Sequence, residues 1–91
     1  MTVVGAGSWG TTVASLAAEN TPTVLWARRG SVAGEINDAH TNSTYLAGRQ
    51  LSTRLTATSS LEEAVSRADV VVMAVPSHGF RDVLEIGRAH V

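Results

Sequence analysis

The sequence predicts an α/β fold in which a doubly wound parallel sheet carries helices on both faces. Strand-like and helix-like patterns alternate along its 91 residues as β-α-β-α-β-α-β-α, the order typical of parallel strands joined by crossover helices. The run Val70–Val75 is apolar at every position, as in a strand that is covered on both faces. A glycine-rich turn, Gly5–Gly10, lies between the first strand and the first helix.

The first half of the chain contains two predicted strands and two predicted helices. Thr2–Val4 is a short β-branched strand, and Thr23–Ala27 is the second strand. The helix between them is predicted over Ser8–Asn20, because Pro22 cannot continue it. Its predicted apolar face consists of side chains at helical spacing: Trp9, Val13, Leu16 and Ala17. A weaker helix is predicted over Ser31–Ala39.

A polar, irregular segment, Thr41–Leu51, opens the second half, and Tyr45 and Leu46 are its expected anchors. Arg54–Ala57 is predicted as the third strand.

A capping box predicts where the third helix, Leu61–Ala68, begins. The Ser60 hydroxyl is expected to accept from the amide of Glu63, whose carboxylate reaches back to the Ser60 amide. Val70–Val75 is the fourth strand, and a last helix with Phe80 on its apolar face follows it.

The predicted elements imply a sheet with the strand order 3-2-1-4, truncated after about four strands. In such a sheet ligands bind at the carboxyl ends of the strands, in the crevice between strands one and four. Both sides of that crevice are encoded here. The far edge of Val70–Val75 is expected to be uncovered.

Composition excludes several classes of function. A net charge of −1 does not favour nucleic acid or an anionic membrane as partner. The chain has no cysteine for disulfides or thiolate metal sites, no metal-ligand spacing, and no apolar run of the ~20 residues that a membrane span needs. No signal peptide is evident, so a cytoplasmic location is expected. All seven basic residues are arginine, so any chemistry that requires lysine needs residues from elsewhere.

The two ends of the chain carry their own expectations. Ile86–Val91 reads like the translation of a sequencing adapter, and we expect it to be a non-native tail. The first strand begins directly after Met1, which leaves open whether this is the natural start.

The pattern Gly5-x-Gly7-x-x-Gly10 stands between a strand and a helix, as the dinucleotide-binding fingerprint requires. Gly5 permits the tight turn, Gly7 lets the backbone approach a pyrophosphate, and Gly10 lets the helix pack closely on the strand. The helix N-terminus offers amides and a partial positive charge to the phosphates. Residues 1–85 are therefore predicted to be part of a Rossmann-like dinucleotide-binding domain.

Two arginines stand where the second strand ends. In NAD enzymes an acidic residue about 20 residues after the motif binds the ribose, whereas an arginine accommodates the 2′-phosphate of NADP. Here Arg28 and Arg29 occupy that place, which favours NADP(H) and leaves NAD(H) open. The alternative is that both are solvated surface charges.

The segment Gly5–Ala14, with Trp9 before the third glycine, resembles the start of the NAD(P)-dependent glycerol-3-phosphate dehydrogenases. Further matching segments follow in order along the chain: Leu25–Arg28, Glu35–Asn37 with Asn42 and Tyr45–Leu46, and Val72–His78 with Phe80. Together these segments cover nearly all of residues 2–85.

The resemblance implies hydride transfer between NAD(P)H and a small-molecule substrate, interconverting dihydroxyacetone phosphate and sn-glycerol 3-phosphate for glycerophospholipid synthesis. It also implies that Ser8, Trp9, Arg28 and Phe80 lie near the cofactor, with Tyr45 as a further candidate. The family's catalytic lysines belong to segments that this chain does not contain. No catalytic residue is therefore assigned here, and residues 1–85 alone are not expected to catalyse. A homodimer is possible for the full-length protein.

Two alternatives remain open at this point. Another dehydrogenase of similar build, of the ketopantoate or prephenate type, would share the glycine motif but generally lacks Ser8-Trp9 and the Val75–His78 turn. A module that binds a dinucleotide without chemistry would also fit a chain without lysine.

Overall fold

The predicted architecture is confirmed. The computed structural model describes residues 1–66 and 68–74, which form a parallel sheet with the strand order β3-β2-β1-β4. The elements are β1 Thr2–Val4, α1 Ser8–Ala18, β2 Val24–Trp26, α2 Gly30–Ala39, β3 Thr56–Thr58, α3 Leu61–Val65 and β4 Val71–Met73. The predicted last helix, the end of the predicted fourth strand and the expected tail lie outside the described residues.

Alternate residues of the strands supply two cores, one on each face of the sheet. Val3 and Leu25 point into the larger core, which α1 and α2 cover. Val4 and Trp26 point to the other face and pack with Leu61 and other α3 side chains in a smaller core. Helices thus cover both faces, as the alternation of strand and helix patterns predicts.

The buried face of α1 differs from the prediction. Trp9 is 61% exposed and Leu16 68% exposed, although both were expected to belong to the apolar face. The helix instead buries small residues: Gly10, Thr11, Ala14 and Ala18. Small side chains let a helix axis approach the sheet closely, and this close contact rotates the larger apolar groups toward solvent.

Most predicted bounds differ by one or two residues from those observed, and packing accounts for the differences at β3 and α3. β3 begins at Thr56 rather than Arg54, since the register pairs Thr56 with Val24 of β2. α3 ends at Val65 rather than Ala68, where the Ser66 hydroxyl donates to the Glu63 carbonyl at 3.2 Å. Serine near a helix end competes in this way with the helical hydrogen bonds.

The cap of α3 is confirmed in one half and wrong in the other. The Ser60 hydroxyl accepts from the Glu63 amide at 3.2 Å, as predicted. The Ser60 amide, however, donates to the Thr58 hydroxyl at 3.1 Å rather than to the Glu63 carboxylate. The nearer hydroxyl satisfies that amide because it lies only two residues away.

The two outer strands of the described sheet, β3 and β4, differ in their side-chain contacts and exposure. At the β3 edge the Asn37 side chain donates to the Ala57 carbonyl and accepts from the Ala57 amide, both at 2.8 Å, so it pairs with the strand as a neighbour would. At the other edge Val70, Val71 and Met73 are exposed, and no further strand among residues 1–66 and 68–74 pairs with β4. No helix within the described residues is long and apolar enough to cross a membrane.

The segment between α2 and β3 is held by polar contacts that the sequence did not reveal. Leu46 packs against the larger core, as predicted, but Tyr45 is exposed and is not an anchor. The Glu35 carboxylate of α2 accepts from the Thr41 hydroxyl at 2.6 Å and from the Ser43 amide and hydroxyl at 2.8 and 3.0 Å. These bonds, that from Thr41 foremost, lower the pKa of Glu35 below its ordinary value of 4.5.

The Glu35 contacts predict an acid-dependent part of the stability. Because its pKa is lowered on folding, ionised Glu35 stabilises the fold above pH 4.5, and this contribution disappears as the pH falls through the lowered pKa. We expect Glu35→Gln to lower the Tm of the full-length protein near neutral pH, with the difference from wild type shrinking in acid. Thermal melts from about pH 7 down to about pH 3 measure this, with Asp38→Asn on the same helix as control. A difference that stays constant over this range contradicts the assignment.

Candidate cofactor site

The site lies at the carboxyl ends of the neighbouring strands β1 and β2. β1 leads directly into the glycine turn, and the Gly5 amide donates to the Trp26 carbonyl at 3.1 Å. The register that pairs Val4 with Trp26 brings the residues after both strands together. The residues of the motif and the two arginines therefore lie close together at the carboxyl ends of these strands, as a sheet of this order requires.

Gly5 and Gly10 are required by the backbone itself. Gly5 has φ = 117°, a conformation that side chains with a Cβ strongly disfavour. A Cβ on Gly10 would lie 2.0 Å from the Gly5 carbonyl oxygen and 3.0 Å from the Ala74 Cβ. The close approach of helix and strand that was predicted for Gly10 is thus present.

Gly7 differs from both, because the described residues leave the space around it open. It precedes α1 with φ = −72° and ψ = −175°, an ordinary extended conformation, and a Cβ built there would meet no atom of residues 1–66 and 68–74 within 4 Å. No side chain caps the helix and its first turn contains no acidic residue. The amides of a first helical turn have no intrahelical partner, so this open space suits an anion such as a pyrophosphate.

Ser8 and Trp9 form the first residues of α1, and both are exposed beside this space. The prediction that Trp9 belongs to the buried face of α1 is wrong, and its exposed indole is available to a bound ligand. The exposed guanidinium groups of Arg28 and Arg29 follow β2 and precede α2, whose N-terminus also lacks a side-chain cap. Two helix N-termini and two arginines make the carboxyl ends of β1 and β2 a favourable place for an anion.

One buried side chain connects the site with the segment after α2. Asn42 is fully buried, and its Nδ2 donates to the Ala6 carbonyl at 3.0 Å and to the Thr11 hydroxyl at 2.9 Å. Its Oδ1 accepts from the Tyr45 amide at 3.3 Å, which places the exposed Tyr45 close to the glycine turn. Sequence reasoning assigned Asn42 no role, because an asparagine in a polar loop is ordinary and no spacing relates it to Thr11.

The described residues provide binding groups rather than a catalytic set. Within residues 1–66 and 68–74 no group of three histidine, aspartate or glutamate side chains could hold a metal ion. Phe80, the last of the predicted site residues, lies outside the described part of the chain. The arrangement can therefore bind a phosphorylated ligand through amides, hydroxyls and guanidinium groups.

Comparison with known families decides among the readings of the glycine motif. The model of the NAD-dependent glycerol-3-phosphate dehydrogenase N-terminus matches residues 1–91. The chain belongs to this family. Among the relatives of this chain, the Sphingopyxis alaskensis protein named glycerol-3-phosphate dehydrogenase [NAD(P)+] 2 is 52% identical over 89 residues, 98% of this chain and 27% of the relative. The Mycobacterium tuberculosis protein of the same name, numbered 1, is 57% identical over 83 residues, 90% of this chain and 24% of the relative.

Solved structures agree with this membership. The glycerol-3-phosphate dehydrogenase of Saccharomyces cerevisiae superposes with a TM-score of 0.86 at 30% identity, over 99% of this chain and 30% of that one. The Coxiella burnetii glycerol-3-phosphate dehydrogenase gives a TM-score of 0.79 at 28% identity, over 91% of this chain and 26% of that one. This chain thus spans about a quarter of the length of the curated relatives it matches. The ketopantoate and prephenate alternative is not favoured.

Proposed function

We propose that this chain is the cofactor-binding part of an NAD(P)-dependent enzyme that interconverts sn-glycerol 3-phosphate and dihydroxyacetone phosphate. The observation that carries the proposal is the space at Gly7, where a glycine that none of the described residues requires stands before an uncapped helix. A ligand whose phosphates approach the backbone gives a reason for a glycine there. The names of the relatives, which all include NAD(P)+ and glycerol-3-phosphate, agree with it.

Each site residue has a place in this proposal. Gly5 and Gly10 hold the turn, while the amides after Gly7 receive the pyrophosphate. Ser8 and Trp9, both exposed at the first turn of α1, contact the cofactor. Tyr45, held near the turn through Asn42, and Phe80 are proposed as further contacts.

The bound nicotinamide would supply the hydride chemistry, and residues beyond those described would supply proton transfer and substrate binding. The chain has no lysine, so a lysine-dependent step has to come from elsewhere in the protein. We further propose that residues 1–85 are part of the dinucleotide-binding domain and that Ile86–Val91 is not native. Re-amplifying the locus tests this, since a frame that continues with the same residues contradicts it. A cytoplasmic location and a homodimer remain predictions.

Arg28 and Arg29 favour NADP(H) in this proposal. Both follow β2 at the edge that carries the glycine turn, and Arg29 immediately precedes the uncapped N-terminus of α2. A guanidinium group pairs bidentately with a phosphate, and a helix N-terminus adds to the attraction. A 2′-phosphate on the adenosine ribose is therefore expected to be bound here.

The cofactor assignment is tested by replacing Arg28. We expect Arg28→Ala to weaken NADPH binding by about tenfold or more, because a charge-assisted bond to the 2′-phosphate is lost, and to change NADH binding little. Fluorescence titration of the full-length protein with NADPH and with NADH measures both. Arg54→Ala is the matched control, since Arg54 is an exposed arginine whose guanidinium contacts Glu19. Equal affinity for both cofactors, unchanged in Arg28→Ala, would overturn the preference for NADP(H).

A further inference from the structure

The buried side chain of Asn42 contacts the glycine turn at both Ala6 and Thr11. One hydrogen of its Nδ2 is donated to the carbonyl of Ala6, which precedes Gly7, and the other to the hydroxyl of Thr11, which follows Gly10. Both Asn42 and Thr11 have no exposed surface. A buried amide that lost these partners would leave polar groups unsatisfied, so the contacts hold the turn in one arrangement.

The bond to Ala6 also determines the direction of a binding group. The Ala6 carbonyl and the Gly7 amide belong to one trans peptide unit, in which C=O and N–H point in opposite directions. Because Asn42 holds the carbonyl toward the buried interior, the Gly7 N–H points away from it. A Cβ on Gly7 would likewise meet no described atom within 4 Å, so the backbone at this residue is accessible to a ligand.

The bond to Thr11 acts on the helix side of the turn. The Thr11 amide donates to the Gly7 carbonyl at 3.0 Å, the first hydrogen bond of α1. Asn42 therefore contacts both Thr11, which closes the first helical turn, and Ala6, which precedes the first residue of that turn. Its own carbonyl oxygen Oδ1 is occupied by the Tyr45 amide, so the side chain has a donor and an acceptor role that fix its orientation.

We propose that Asn42 is a positioning residue, which presets the phosphate-binding turn and couples it to the segment that carries Tyr45. This inference rests on the proposed binding of a dinucleotide at Gly7. Asn42 touches no reacting atom; it lowers the cost of cofactor binding because the amides are already oriented before the phosphates arrive.

The test compares two asparagines in the full-length protein. Asn42→Ala is expected to raise the Kd for NADPH by about tenfold, because the turn is no longer held in one arrangement, while kcat at saturating cofactor changes little. Asn37→Ala removes a similar pair of side-chain bonds at the β3 edge and is the matched control. It is expected to lower the Tm but to leave the Kd and the KM for the cofactor unchanged.

A second pair of variants keeps the proposal testable if Asn42→Ala does not fold. Thr11→Val keeps the shape of the side chain and removes the hydroxyl that Asn42 contacts, so we expect a weaker rise in the cofactor Kd. Thr11→Ser keeps the hydroxyl and should restore the wild-type Kd. An unchanged Kd in Asn42→Ala and Thr11→Val, or a change that Asn37→Ala shares, would overturn the role of Asn42. If Gly7→Ala also leaves the Kd unchanged, the proposed binding site itself is wrong; if Gly7→Ala raises it, only the role of Asn42 is.

Discussion

Replacing Gly10 with alanine is expected to lower the free energy of unfolding by about 3 kcal/mol or more. The new Cβ would lie 2.0 Å from the Gly5 carbonyl oxygen, which belongs to the backbone and cannot rotate away as a side chain could. α1 would have to move off the sheet, and the small buried face that it presents depends on close contact. Chemical denaturation of the full-length protein and of the variant measures the loss.

The same substitution in another helix provides the control for Gly10→Ala. Gly34 lies within α2, and a Cβ built there would meet no atom within 4 Å. Gly34→Ala is therefore expected to stabilise the protein by about 0.5–1 kcal/mol, since alanine favours the helical conformation. If Gly10→Ala were as well tolerated as Gly34→Ala, the close approach of α1 to the turn would be wrong.

Gly7→Ala is expected to leave the fold intact and to weaken cofactor binding by about tenfold to a hundredfold. Its backbone is in an extended conformation that alanine adopts readily, and no atom of the described part of the chain lies within 4 Å of the new methyl group. The methyl would instead occupy the space in which the backbone approaches the pyrophosphate. Fluorescence titration with NADPH gives the affinity, and a thermal melt shows whether the fold is retained.

Gly34→Ala is also the control for Gly7→Ala, because it adds the same methyl group to a residue within α2 that has no role in the proposed site. It should leave the affinity for NADPH unchanged. A Gly7→Ala protein that binds NADPH as tightly as wild type would contradict the proposed cradle. Gly10→Ala is thus expected to destabilise the fold and Gly7→Ala to weaken cofactor binding, although the two glycines lie only three residues apart.

The order of elements and the strand order of the sheet were predictable from the sequence because they depend on local patterns. The apolar run of the fourth strand, the glycine turn before α1 and the capping serine of α3 are each visible in a short stretch of sequence, so they require no knowledge of distant residues. Parallel strands joined by right-handed crossovers then allow few topologies, and 3-2-1-4 is the one observed. The glycine motif located the site for the same reason, since its three glycines are close in sequence.

What each residue packs against was not predictable in the same way. Trp9 and Leu16 have the right spacing for a buried face, but the face that α1 buries is the one whose small side chains let it approach the sheet. The start of β3 follows its register with β2, which pairs residues more than thirty positions apart. A pattern within one element contains no information about the shape of its neighbour.

The sequence by itself determined the fold class, the strand order and the glycine turn before α1, because these follow from periodicity and from the conformational freedom of glycine. Only the tertiary structure decided that Asn42 lies between Ala6 and Thr11 and that β3 begins at Thr56 beside Val24. The physical reason is distance along the chain. A hydrogen bond or steric contact between residues separated by thirty or more positions exists only after the intervening segments have packed.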